Sequence, residues 1–154
     1  MPTHYRGSES ERTALDTYIK FMRAAESVMA HLTQALSEHN LTISQFGTLE
    51  VIYHLGPLCQ KAIGEKLLKS GGNITMVVNN LEERDLVTRK RRESDRRYVS
   101  VELTAQGRSL IEEVLPAHVD LISEAFGVLS RDEQLQLGVL CKKVGLSVAK
   151  EEQE

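Results

Sequence analysis

Between Thr88 and Leu103 the chain reads TRKRRESDRRYVSVEL, whose first ten positions place Arg89, Lys90, Arg91, Arg92, Arg96 and Arg97 against only Glu93 and Asp95. Charge of one sign at this density cannot enter a core, so the run must project into solvent. Its flanks say how. Leu86 and Val87 open one apolar segment, and after the basic run Val99, Val101 and Leu103 alternate with Tyr98, Ser100 and Glu102. Period-two alternation on either side of a polar tip predicts a half-buried antiparallel hairpin that holds cations out for an anionic partner.

The residues before the hairpin narrow that partner. Ser70-Gly71-Gly72-Asn73 breaks the chain, after which Ile74, Val77, Val78 and Leu81 fall three and four apart. This spacing predicts a helix with a buried apolar back and with Asn73, Thr75, Met76, Asn79 and Asn80 on the other face. A shorter helix precedes it, carrying Ala62, Ile63, Leu67 and Leu68, with Cys59 at the N-cap position. Before that, Thr42 and Gln45 form a capping-box pattern ahead of Phe46, Leu49, Val51, Ile52 and Leu55, and Gly56-Pro57 stops that helix. Two short helices joined by a turn, the second displaying small polar side chains, form the pattern of a helix-turn-helix, and the hairpin stands where its wing would.

The ends of the chain share another character. From Glu11 to Ser37 apolar residues recur at Leu15, Tyr18, Ile19, Met22, Ala25, Val28, Met29, Leu32, Ala35 and Leu36. A helix of that length, about 39 Å at 1.5 Å per residue, exceeds what one small domain needs to cover itself. Beyond the hairpin, Thr104 caps a helix rich in Leu, Ile and Val in which Pro116 is expected to cause a bend or break, and Ser130 with Glu133 opens a last helix. Faces that one copy cannot bury predict a two-fold dimer. The expected fold is therefore mainly α with a small β-hairpin wing. Residues 1–40 form an N-terminal dimerisation helix, 41–103 the winged helix-turn-helix, and 104–154 the C-terminal dimerisation helices.

Composition removes the other classes. The chain has 154 residues, 41% apolar and 27% charged, with a net charge of −3. The segment Lys61–Arg97 holds ten Lys/Arg and six Asp/Glu, a local excess of +4 that leaves −7 for the rest. A mildly acidic protein thus carries one basic surface, and phosphates meet the local surface. No apolar run reaches the roughly 18 residues of a membrane span, and the N-terminus lacks a signal peptide's apolar centre, which predicts a cytoplasmic protein without a membrane partner. Two cysteines, Cys59 and Cys141, and five histidines without ligand spacing predict no disulfide framework and no metal site. No nucleophile motif or Gly-rich phosphate loop occurs, so neither catalysis nor a cofactor is expected.

Double-stranded DNA is the partner that a polar helix beside a basic finger fits best. Ser70, Asn73, Thr75, Met76, Asn79 and Asn80 are the candidates for the major groove, with asparagine pairing to adenine N6 and N7 and the methyls of Thr75 and Met76 against thymine. That predicts an A·T-leaning site. Arg91, Arg92, Arg96 and Arg97 are the wing candidates for the minor groove, and Asp95 is expected to pin a neighbouring arginine. The alternative is a winged-helix module that docks its hairpin on an acidic protein.

The runs LTISQFGTLEVI, KAIGEKLLKSGGNITMVVNNLEERDLV and ESDRRYVSVELTAQG resemble the MarR family of bacterial winged-helix regulators. Asp95-Arg96-Arg97 resembles its D-x-R wing signature, and Leu103-Thr104 through Gly107 its L-T-x-x-G junction. The resemblance implies a homodimer with interlocked terminal helices, an inverted-repeat operator, repression as the usual outcome, and release by a small molecule or by cysteine oxidation. Similar oxidation sensors carry a cysteine near the start of the first helix, where this chain has none, so Cys59 is the candidate redox thiol. His31, His39, Tyr53 and His54 are the candidates for a pocket holding a small aromatic, phenolic or quinone-like effector.

Overall fold

The computed structural model describes residues 4–91 and 99–149. In chain order these form α1 (Glu9–Ser37), α2 (Ile43–Leu55), α3 (Gln60–Leu67), α4 (Gly71–Glu83), β1 (Val87–Arg91), β2 (Val99–Leu103), α5 (Ala105–Phe126) and α6 (Arg131–Ala149). The chain divides into two compact units, one ending at Val119 and one beginning at Asp120.

Within the first unit the three middle helices close on one core. Leu49 and Ile52 of α2, Ile63 of α3, and Ile74, Val78 and Leu81 of α4 are at most 3% exposed. Val87 of β1 and Val101 of β2 cover the same core from the hairpin side. The hairpin is antiparallel, with Val87 opposite Leu103 and Arg91 opposite Val99. Leu58 adds a bridge that the sequence did not announce: its N–H donates to Val101 O at 3.3 Å and its carbonyl accepts the Val101 N–H at 2.8 Å. The far edge of β2 is thereby paired at that residue.

Three helices end in the same way, and this sets the corners of the first unit. After α4, Asp85 takes φ 56°, the Leu86 N–H donates to Leu81 O at 2.9 Å and the Asp85 N–H to Glu82 O at 3.0 Å. These are the paired bonds of a Schellman motif, and Leu81 and Leu86 supply its apolar contact. Asn40 does the same after α1, with the Leu41 N–H on Leu36 O at 3.0 Å. Leu68 does so after α3, at φ 52°, with the Lys69 N–H on Gly64 O at 2.9 Å. Asn and Asp tolerate this left-handed conformation, whereas leucine gains nothing from it. The sequence placed Leu68 on the buried face of the third helix; instead it leaves the helix and is 92% exposed. The turn requires a residue past the last helical position, and Leu68 is the residue that falls there.

The start of α5 is locked to the exit of α4. Thr104 donates its N–H to Leu86 O at 3.1 Å and its hydroxyl to Asp85 O at 2.6 Å, and the same hydroxyl accepts the Gly107 N–H at 2.9 Å. A Cβ on Gly107 would lie 1.9 Å from Leu86 O, so only glycine lets the helix approach this closely. The helix then continues through Pro116 to Phe126 without the break that proline suggests.

The second unit holds the end of α5 and α6. Ser130 and Glu133 form the capping box, with the Glu133 carboxylate accepting from Ser130 N at 2.8 Å, and these bonds hold that carboxyl below its ordinary range. Gln134 Nε2 closes the turn on Phe126 O and Leu129 O, both at 3.1 Å. Leu135, Val139, Leu140 and Val144 remain 51 to 67% exposed on α6.

Gly107→Ala is expected to lower unfolding stability by about 2 kcal/mol or more, because the clash is with backbone that cannot rotate away. Leu68→Gly should raise it by roughly 0.5 to 1 kcal/mol by relieving the left-handed strain. Urea titrations of both variants measure the two changes.

Candidate nucleic-acid interface

α4 presents the polar face expected of it. Asn73, Thr75, Met76, Asn79 and Asn80 are all exposed, Met76 to 71%, while Ile74, Val78 and Leu81 anchor the opposite side. Ser70 is the N-cap of this helix, its hydroxyl accepting the Asn73 N–H at 3.4 Å. Its first role is therefore to start the helix.

The side chains of that face are held from behind. Arg89 reaches from β1 to α4, where its Nη1 pairs with Glu82 Oε2, its backbone N–H donates to Glu82 Oε1 at 3.1 Å, and its Nη2 donates to Asn79 Oδ1 at 2.5 Å. Its Nε donates to Gln60 Oε1 at 3.2 Å, and Gln60 Nε2 donates to Thr75 Oγ1 at 3.0 Å. From α2, Gln45 Nε2 donates to Asn80 Oδ1 at 2.6 Å. One arginine thus ties hairpin, α3 and α4 together, with the candidate reading residues Asn79 and Thr75 in its network, while Gln45 holds Asn80 separately.

The basic run divides accordingly. Arg89 turns inward, and Lys90 Nζ pairs with Glu102 of the opposite strand at 2.6 Å, so neither is a free cation extended into solvent as the sequence suggested. Arg91 is exposed. Arg92, Asp95, Arg96 and Arg97 lie outside the described residues.

The candidate sensor residues lie on α1, on the turn after it and on α2. His31 and His54 are exposed; His39 lies 4.0 Å from Glu113; and Tyr53 meets His54 edge-on at 5.2 Å, with the Arg108 guanidinium 5.4 Å from its ring centre. A crevice of about 280 Å³ opens elsewhere in the first unit, between Met29 and Leu32 of α1, Phe46 and Glu50 of α2, Lys69, and His118 of α5. None of His31, His39, Tyr53 and His54 lines it. His118 is 9% exposed, packs against Phe46 with ring centres 4.2 Å apart, and has no hydrogen-bond partner for Nδ1 among the described residues. Sequence reading passed over this histidine, although it follows Val114 by four residues on the buried face of α5.

Cys59 is the N-cap residue of α3, partly buried, and its thiol makes no capping bond. Cys141 is partly buried on α6. Among the described residues no cluster of three or more His, Cys, Asp or Glu could hold a metal ion, and no helix is long and apolar enough to cross a membrane.

The profile of the transcriptional regulator SarA/Rot family matches residues 31–114. An uncharacterized HTH-type transcriptional regulator of Bacillus subtilis, YkoM, is 37% identical over 146 residues, covering 95% of this chain and 94% of its own. A mutant MarR of E. coli, solved in complex with operator DNA, superimposes with a TM-score of 0.78 at 25% identity, over 89% of this chain and 99% of that one. BpsR of Bordetella bronchiseptica, whose DNA binding is regulated by 6-hydroxynicotinic acid, gives a TM-score of 0.76 at 26% identity, over 84% of this chain and 98% of that one.

Burial holds the His118 imidazole below its ordinary pKa of 6.5, with Glu50 opposing the shift. Below about pH 6.5 the unfolded chain therefore binds a proton that the folded chain refuses, so this histidine's contribution is complete above that pH and is lost as pH falls. The urea midpoint is expected to drop between pH 7.5 and 5, and to drop less in His118→Phe.

Proposed function

The chain belongs to the MarR family of winged-helix transcriptional regulators, and on that footing we propose that it binds double-stranded DNA as a homodimer and is released from it by a small effector. The observation that carries the DNA reading is the Arg89 network, which sets the exposed polar face of α4 beside the hairpin as one surface. Each copy would place α4 in a major groove and its wing, with Arg91 and the basic residues after it, in the adjacent minor groove. A two-fold pair then meets half-sites about 10 base pairs apart, an inverted repeat. Repression is the expected sign.

The dimer is supported by the apolar surface left uncovered within each unit. Tyr18 and Phe21 of α1, and Leu135, Val139 and Val144 of α6, are between 48 and 67% exposed. Residues 1–40 and 104–154 are accordingly the dimerisation segments and 41–103 the reading head. Pairing of two copies buries these side chains at about 25 cal/mol per Å² of apolar surface.

Ligand control is supported by the crevice beside His118. Its size suits a single aromatic ring, Phe46 and Leu32 supply apolar walls, and Lys69 and the unpaired His118 Nδ1 offer partners for a carboxylate or hydroxyl. The BpsR ligand is a molecule of this class. An effector acts only if it favours the arrangement of reading heads that cannot bind DNA. Cys59 makes no capping bond and does not line that crevice, which favours a ligand over thiol oxidation as the trigger.

Fluorescence anisotropy with duplexes selected from a random pool tests the assignment. Affinity should fall with salt with a log-log slope of several units, and Arg91→Ala should weaken all sequences alike while reducing that slope by about 1. A slope near zero would remove the DNA reading. In sedimentation, Val139→Glu should shift the wild-type dimer toward monomer. 6-Hydroxynicotinic acid and related phenolic acids should release the bound duplex, and His118→Phe should blunt that release; equal response in the variant would exclude the crevice as the effector site.

A further inference from the structure

Donors and acceptors behind α4 determine which edge of each reading side chain is left for DNA. Gln45 is 9% exposed, and its Oε1 accepts the Thr42 N–H at 2.9 Å. A backbone N–H can only donate, so the amide oxygen of Gln45 must face Thr42 and its Nε2 must face Asn80. Asn80 answers with Oδ1, at 2.6 Å, which leaves its amide hydrogens as the other edge. The same logic governs Asn79. Arg89 has no acceptor, and its Nη2 engages Asn79 Oδ1 at 2.5 Å. Arg89 Nε also takes Gln60 Oε1, which obliges Gln60 to donate to Thr75 Oγ1 at 3.0 Å. The Thr75 hydroxyl passes its own proton to Gly71 O at 3.0 Å, so it has no proton left to donate and its methyl group is offered instead.

We propose that α4 is pre-set as a hydrogen-bond donor surface, with Gln45 and Arg89 acting as positioning residues that turn the amide hydrogens of Asn80 and Asn79 toward the bases. This rests on the reading of α4 as the major-groove helix. Such a surface selects base edges that accept: guanine N7 and O6, and thymine O4 with its methyl against Thr75 and Met76. Cytosine, which offers the N4 amine, is excluded. Adenine is engaged through N7 alone, because the oxygen that the paired contact of asparagine with N6 and N7 needs is turned toward Gln45 or Arg89. Guanine and thymine therefore replace the adenine preference that the residue types by themselves suggest.

Gln45→Glu tests this directly. The new carboxylate still accepts the Thr42 N–H, since glutamate is the usual residue of the capping box, but its second oxygen can only accept. Asn80 must then turn its amide hydrogens inward and its oxygen toward DNA. Duplexes are selected from a random pool at pH 8 with wild type, Gln45→Glu, Gln45→Met, Asn79→Ala and Asn80→Ala, and each variant's folding is checked by circular dichroism. The expected result is guanine or thymine at the Asn80-dependent position for wild type, a shift to cytosine or adenine by about tenfold or more in relative affinity for Gln45→Glu, and loss of preference there for Gln45→Met. A merely structural role for Gln45 would lower affinity without changing the base. If Gln45→Glu does not fold, Gln45→Met decides alone: a relaxed position supports the proposal and an unchanged one overturns it. Selection of the same base by wild type and both Gln45 variants, at a position that Asn80→Ala alters, overturns the proposal while leaving α4 as the reading helix. If Asn79→Ala and Asn80→Ala both leave the selected sequence unaltered, the reading role of α4 fails and the proposal with it.

Discussion

Arg89 is the residue on which the geometry of the reading head depends. It stands on β1, yet its guanidinium is spent on Glu82 and Asn79 of α4 and on Gln60 of α3. A guanidinium is a rigid fork of donors that cannot be neutralised, so each partner is forced to offer an oxygen. The hairpin therefore cannot swing away from α4 without leaving Glu82 and Arg89 half-buried and unpaired, which carries a large desolvation cost. Helix and wing are held as one surface by that requirement.

A second constraint lies on the other side of the hairpin. Thr104 and Gly107 fasten the start of α5 to Asp85 and Leu86, at the exit of α4. The absence of a Cβ at Gly107 is what lets the helix backbone reach the Leu86 carbonyl. Arg84 Nη1 adds a bond to Asn40 O at 2.8 Å, tying the end of α1 to the end of α4. α4 and the helices that lead away from it thus share their termini.

The crevice and the reading face illustrate two uses of partly satisfied polar groups. His118 is buried, and among the described residues its Nδ1 has no partner, an expensive arrangement for a polar atom out of water. Asn79, Asn80 and Thr75 are exposed and yet have their oxygens engaged from behind, an arrangement that costs little and removes rotameric freedom before DNA arrives. The first awaits a partner, and the second narrows which partner fits.

The sequence by itself determined the order of helices, the hairpin, the capping boxes at Thr42 and Ser130 and the polar face of α4, because each follows from residues within one or two turns of one another, though it passed over a third box at Ser8 and Glu11. It misplaced Leu68, which a helix pattern counts as core and a Schellman turn expels. It could count Arg89 with the wing's free cations and pass over His118 in an apolar stripe, since periodicity records which side of a helix a residue is on and not what lies opposite. Gln45 was legible as a cap and illegible as the partner of Asn80, thirty-five positions away. Those decisions belong to the tertiary structure, because hydrogen-bond direction across separate elements is fixed only when packing brings a donor that can do nothing else against an amide that must turn to meet it.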